Sequence, residues 1–138
     1  MGKKHYVAVM IALLVVVAKA FAGDTGDVTV EQARKMIDRK NVIVLDVRKA
    51  DEYAAGHLAN AVWIDFYSDK FESRVKKLSR KKQIVVYCAT GRRSAATLEM
   101  MKKNGFTNAH DMLGGYKAWA EKGQPVVIPK SSGGRKGK

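Results

Sequence analysis

The stretch Gln83-Ile84-Val85-Val86-Tyr87-Cys88-Ala89-Thr90-Gly91-Arg92-Arg93-Ser94 decides how this chain is read. It begins with a β-branched and apolar run, which predicts a buried strand over Ile84–Cys88. Cys88 then opens a loop through Ser94, and apolar residues at helical spacing predict a helix over Arg93–Lys103. A helix N-terminus and nearby arginines both lower a cysteine's pKa, and thiolate is the nucleophilic form. This order of strand, cysteine, glycine, two arginines and helix supplies both effects within seven residues. A lone cysteine can also be a small apolar core residue, but that role calls for neither the glycine nor the arginines. Cys88 is the sole cysteine in 138 residues and is read as a functional thiol.

Outward from that stretch, strands and helices alternate. Thr29-Val30-Glu31-Gln32 matches a capping box, so a helix is expected to about Arg39, burying Ala33, Met36 and Ile37. Val42–Leu45 reads as a strand buried on both faces. A short helix over Ala50–Ala55 ends at Gly56, and Ala61–Ile64 reads as a short strand. Helix Lys70–Leu78 places Phe71, Val75 and Leu78 on one face. A last strand, Ala109–Met112, and a last helix, Tyr116–Glu121, complete the pattern. Such alternation predicts an α/β domain with a central, mainly parallel sheet flanked by helices on both faces. Active sites of such sheets collect at the C-terminal strand ends. If the two most apolar strands are neighbours, Asp46, Arg48 and Cys88 share one rim.

Composition bounds the rest. Lys3, Lys4 and His5 precede twelve apolar residues, Val7–Ala18, and Ala20-Phe21-Ala22 offers a small-x-small cleavage site. Residues 1–22 therefore read as a secretory signal peptide, giving a periplasmic or secreted protein with no stable membrane insertion after cleavage. An uncleaved anchor is the alternative, but twelve apolar residues fall short of the roughly 20 that span a bilayer. Residues 23–128 suffice for one domain, and residues 129–138 form a basic tail with too little apolar surface to fold. Loss of the leader lowers the net charge from +13 to +10, because Lys3, Lys4 and Lys19 leave with no acid. The charge attracts anions, yet no aromatics interleave it as a single-strand platform requires, so no nucleic-acid partner is expected. One cysteine makes no internal disulfide, which in an exported protein points to intermolecular pairing or a reactive thiol. His5, His57 and His110 lie far apart in sequence, and no metal-ligand spacing appears.

Four segments together resemble the rhodanese family of thiosulfate and persulfide sulfurtransferases, in its single-domain bacterial form. They are Val44-Leu45-Asp46-Val47-Arg48, Glu52-Tyr53-Ala54-Ala55-Gly56-His57-Leu58-Ala59-Asn60-Ala61, the loop from Cys88 to Ser94, and Leu113-Gly114-Gly115-Tyr116-Lys117-Ala118-Trp119. The resemblance covers about Thr29 to Val127. It implies double displacement without a cofactor. Cys88 attacks the outer sulfur of thiosulfate, sulfite leaves, and the persulfide passes its sulfur to cyanide or a thiol. The loop chemistry agrees with this. Backbone N–H groups curled around a sulfur, with a helix dipole behind them, form an anion nest, and Gly91 permits the positive φ of such a curl.

Within this frame Ala89, Thr90 and Gly91 line the bound sulfur, and Arg92 meets the anionic donor or is a solvated arginine. The resemblance turns Arg93 inward onto a carboxylate, with Asp46 as the expected partner. Ser94 starts the helix, Asp46 holds the loop, and Arg48 sits either at the pocket rim or on the surface. His57 is structural rather than a base, and Trp63 and Trp119 are core. In one departure from the mitochondrial-type enzymes, Ala89 and Thr90 stand where basic residues would follow the cysteine. That predicts modest thiosulfate turnover or another donor.

Phosphatases and arsenate reductases place five residues between cysteine and arginine, whereas four separate Cys88 from Arg93, and Tyr87 replaces their preceding histidine. The tighter loop suits one sulfur better than a tetrahedral oxyanion. A non-catalytic binding module would not need Cys88. A persulfide carrier would use the same thiol.

Overall fold

The computed structural model describes residues 25–130; the expectations for the leader and for residues 131–138 of the tail lie outside it. Labelled in chain order, the elements are β1 (Gly26–Val28), α1 (Val30–Asp38), β2 (Val42–Asp46), α2 (Ala50–Ala55), β3 (Val62–Trp63), α3 (Phe71–Val75), β4 (Gln83–Tyr87), α4 (Arg92–Lys103), β5 (Ala109–Met112) and α5 (Gly115–Glu121).

The strands form one sheet in the order β1-β5-β4-β2-β3, and each of its pairings is parallel. The two apolar strands are indeed central neighbours, with Leu45 opposite Val86 and Asp46 opposite Tyr87. From β2 the chain moves outward to β3, and from β4 it moves to β5 on the other side. The C-terminal ends of β2 and β4 therefore flank the point where the connections diverge, the place where open α/β sheets form a crevice.

Alternation along each strand feeds two cores. Leu45, Ile84, Val86 and Cys88 pack with Phe71, Val75, Leu98 and Met101 of α3 and α4. Val44, Val85 and Tyr87 face the other way, toward Ala33 of α1 and Trp119 of α5. Cys88 thus continues the inward phase of β4, and its sulfur is directed beneath the start of α4.

The Thr29 box caps α1 as expected: the Gln32 N–H donates to Thr29 Oγ1 at 3.2 Å, and the Thr29 N–H donates to Gln32 Oε1 at 2.8 Å. Ala33 is buried, while Met36 and Ile37 are only half-buried. α3 is shorter than its apolar spacing predicts. After Val75 the chain tightens into turns such as Leu78 N–H to the Val75 carbonyl at 3.0 Å, which still carry Leu78 against the core. Trp119 is core, but Trp63 on the edge strand β3 is half-buried and donates its Nε1–H to the Arg48 carbonyl at 2.9 Å.

Candidate active site

The Cys88 sulfur sits in a cup of donors. The Gly91 N–H donates to it at 3.1 Å and the Ser94 hydroxyl at 3.4 Å. Gly91, at φ 120°, bends the loop so that its N–H turns inward; a β-carbon would find room there, so the backbone angle demands the glycine rather than crowding. Burial pushes the thiol's pKa up. The Ser94 hydroxyl and the N–H groups of Ser94, Gly91 and Thr90 outweigh it and leave the pKa below that of an ordinary cysteine. A cysteine 1 % exposed whose pKa nevertheless lies below the ordinary value sits among donors that ease negative charge on its sulfur.

The loop is fastened from its outer side by α5. The Tyr116 N–H donates to the Cys88 carbonyl at 2.8 Å, and the Lys117 N–H donates to the Ala89 carbonyl at 3.0 Å. Gly115 makes this approach possible: a β-carbon there would stand 2.5 Å from the Cys88 oxygen and 2.7 Å from the Ala89 oxygen. The Gly-Gly pair therefore locks the Cys88 loop, a role that its spacing from Cys88 in the sequence does not disclose.

The arginines divide differently from expectation. Arg93 does turn to a carboxylate, but that carboxylate is Glu52 of α2, reached bidentately at 2.8 and 2.9 Å. Asp46 is already committed: it accepts from the Arg48 backbone N–H at 2.9 Å, from the Arg48 guanidinium at 2.8 Å and from the Tyr87 hydroxyl. It braces Tyr87, the residue before Cys88, and not the loop itself. Arg93 holds Glu52 down to a pKa of about 2.

Arg48 is not on the surface but lines the cavity beside the loop. It is 3 % exposed, donates to the Gly56 carbonyl at 2.6 Å and lies 4.2 Å from the Tyr116 ring centre. Burial lowers its pKa, and the Asp46 partner more than restores it, so the guanidinium stays charged inside the fold. His57 is structural in form. Its ring stacks on Tyr53 at 3.9 Å, Nδ1–H donates to the Tyr53 carbonyl at 3.0 Å, and its backbone bridges to Val127.

Two cavities meet at Glu52 and Thr90. One, of about 410 Å³, is lined by Lys49, Arg92, Arg93 and Tyr67. The other, of about 510 Å³, lies between α2 and α5 and is walled by Arg48, Ala55, Ala89 and Tyr116. Arg92, exposed at the first turn of α4, thus faces open space beside the loop, whereas Ser94 is buried beneath it. Behind Ser94, on β5, Asp111 is 3 % exposed and its Oδ1 accepts no hydrogen bond. Burial first, and Asp27 on the adjacent strand second, raise its pKa against the pull of Ser94.

Residues 29–122 match the rhodanese-like domain family. The chain belongs to that family. A thiosulfate sulfurtransferase from Coxiella burnetii is 26 % identical over 88 residues, covering 64 % of this chain and 80 % of that protein. A tRNA uridine(34) hydroxylase from Buchnera aphidicola is 32 % identical over 112 residues, but the match spans 74 % of this chain and only 34 % of the hydroxylase. Among solved structures, a rhodanese-related protein from Thermoplasma volcanium superposes with a TM-score of 0.68 at 35 % identity, covering 75 % of this chain and 98 % of that one. The four rhodanese-like segments converge on one crevice. The first carries the Asp46–Arg48 pair, the second Glu52 and Gly56, the third the sulfur and its donors, and the fourth the Gly115 lock. Glu52 and Gly115 were both within reach of the sequence signal, since each lies in a quoted segment; their pairing with Arg93 and with the Cys88–Ala89 backbone was not.

Proposed function

We propose that this rhodanese-like chain is a sulfurtransferase whose nucleophile is Cys88. The Cys88 thiolate attacks the outer sulfur of thiosulfate, forming an S–S bond as the donor's own S–S bond breaks and sulfite leaves with its electron pair. The persulfide Cys88–S–S⁻ is again an anion, and the same inward donors suit both anions. Cyanide or a thiolate then takes the terminal sulfur and the Cys88 thiolate is restored. The observation that carries this reading is the sulfur's setting: Gly91 and Ser94 donors on a buried thiol with a lowered pKa.

In this reading Ala89, Thr90 and Gly91 surround the transferred sulfur, and Arg92 draws in the donor. Arg93, tied to Glu52, adds field and holds α2 against the loop. Arg48, with Asp46, supports the crevice without touching substrate. The 26 % relative from Coxiella favours thiosulfate as the donor class. Because Ala89 and Thr90 carry no charge, a protein persulfide is the second donor to test. The leader-like residues 1–22 favour export to the periplasm or beyond; among the described residues no helix is long and apolar enough to cross a membrane.

The test is thiocyanate formation with both thiosulfate and cyanide varied. Parallel double-reciprocal lines are expected, and Cys88→Ser is expected to lose more than about a thousandfold in rate with an unchanged melting profile. Intersecting lines, or turnover in the Cys88→Ser protein, would contradict the mechanism.

A further inference from the structure

The two edges of the sheet carry different charge. Because the strands are parallel, their entry points share one edge, opposite the Cys88 crevice. Arg39 and Lys40 lead into β2, Lys81 and Lys82 lead into β4, and Lys103 ends α4 on the way to β5. All five are exposed, and among the described residues none is in an ion pair. Asp38 and Glu99, the acids nearest this edge on α1 and α4, are each taken by a base of their own helix, Arg34 at 3.0 Å and Lys102 at 2.9 Å.

These segments are close in space. β4 lies between β2 and β5, and neighbouring strands are about 4.8 Å apart. Arg80 ties two of the connections together, donating to the Asn104 carbonyl and to the Lys76 carbonyl, both at 3.2 Å. The connections into β2, β4 and β5 are thus neighbours at one end of the sheet and carry charge of one sign. At the crevice edge, by contrast, Asp51, Glu52, Asp65 and Asp69 offset the bases.

We propose that this basic edge docks on an anionic lipid surface, holding the Cys88 crevice toward the aqueous side. Lipid is the occupant favoured over nucleic acid by where the chain enters the domain. β1 starts at this same edge, and the apolar run Val7–Ala18 lies eight residues upstream of Gly26. Eight residues reach at most about 28 Å. An apolar segment held in a bilayer therefore keeps the basic edge near the headgroups while the leader is attached. Among the described residues no aromatic side chain is exposed on this edge for base stacking: Phe106 is 3 % exposed and lies under Arg80.

The experiment is flotation of the full chain with vesicles of neutral phosphatidylcholine, with and without about 30 % phosphatidylglycerol, at about 0.1 and about 0.5 M salt. Preference for the anionic vesicles is expected at low salt and is expected to vanish at high salt. The variant K40Q/K81Q/K82Q/K103Q is expected to lose about fivefold in that preference for each charge removed. K40R/K81R/K82R/K103R keeps the charge and is expected to keep the binding, which separates charge from folding. A tail variant with the same charge removed, K130Q/R135Q/K136Q/K138Q, is expected to lose little. An equal loss in the tail variant, or no anionic preference at all, would overturn the proposal. So would displacement of the protein from vesicles by a short DNA duplex at equal phosphate concentration. Alkylation of Cys88 that slows on vesicle binding would overturn the orientation.

Discussion

The ends of β2 and β4 lie side by side, and both present polar groups at the same crevice, yet they use them in opposite ways. At the β2 end, the Asp46 carboxylate is filled by Arg48 and Tyr87, and the Arg48 guanidinium is filled by Asp46 and the Gly56 carbonyl. Charge there is closed upon itself. At the β4 end, α5 takes the Cys88 and Ala89 carbonyls, the Gly91 N–H points at the Cys88 sulfur, and the Ser94 hydroxyl lies between that sulfur at 3.4 Å and the Gly91 carbonyl at 3.1 Å. The first end is a brace and the second is a receptor for negative charge. The difference teaches that an arginine near the Cys88 loop is not thereby free to bind an anion; what matters is whether its donors are already spent.

The largest effect is expected at the brace. Asp46→Ala leaves the Arg48 charge buried without its partner and is expected to cost about 3–5 kcal/mol in urea denaturation. A loss below about 1 kcal/mol would mean that the two strand ends are not so different. The Glu52–Arg93 pair is smaller and closer to solvent, with side chains 28 % and 15 % exposed. Because folding lowers the Glu52 pKa to about 2, its contribution is present above the ordinary carboxyl value of 4.5 and fades as pH falls toward 2. Glu52→Gln is therefore expected to melt at a lower temperature than the parent at pH 7, with the gap closing toward pH 2. A gap that stays constant with pH would place the loss outside this ion pair.

The receptor end gives smaller and chemically distinct changes. Ser94→Ala removes a donor from the sulfur, so the pH midpoint for Cys88 alkylation is expected to rise, with about a fivefold slower reaction near neutrality. An unmoved midpoint would leave the N–H groups as the sole source of the lowered pKa. Arg92→Ala is expected to raise the thiosulfate KM about threefold while leaving kcat nearly unchanged, the sign of binding lost equally in ground and transition states. An unchanged KM would return Arg92 to the solvated surface.

Much of this was legible in the sequence because it is local. The β-branched runs of β2 and β4, the Thr29 box and the Cys88–Ser94 order each act through neighbours in the chain. β1 was not expected: Gly26-Asp27-Val28 is too short to show alternation, and it is a strand because its backbone pairs with β5. The partner of Arg93 was missed because Asp46 and Glu52 both precede the crevice, and only the fold shows that Arg48, two residues from Asp46, claims it first. Asp111 was missed for a similar reason. Nothing around it in the sequence signals that β5 carries a buried carboxyl behind Ser94.

The central claim is that the Cys88 loop holds sulfur as a covalent anion. The most direct measurement is the intact mass of the reduced protein before and after thiosulfate. A gain of one sulfur, about 32 Da, removed by cyanide with release of thiocyanate, is the expected result. No gain, with Cys88 shown to be reduced and open to alkylation, would contradict it.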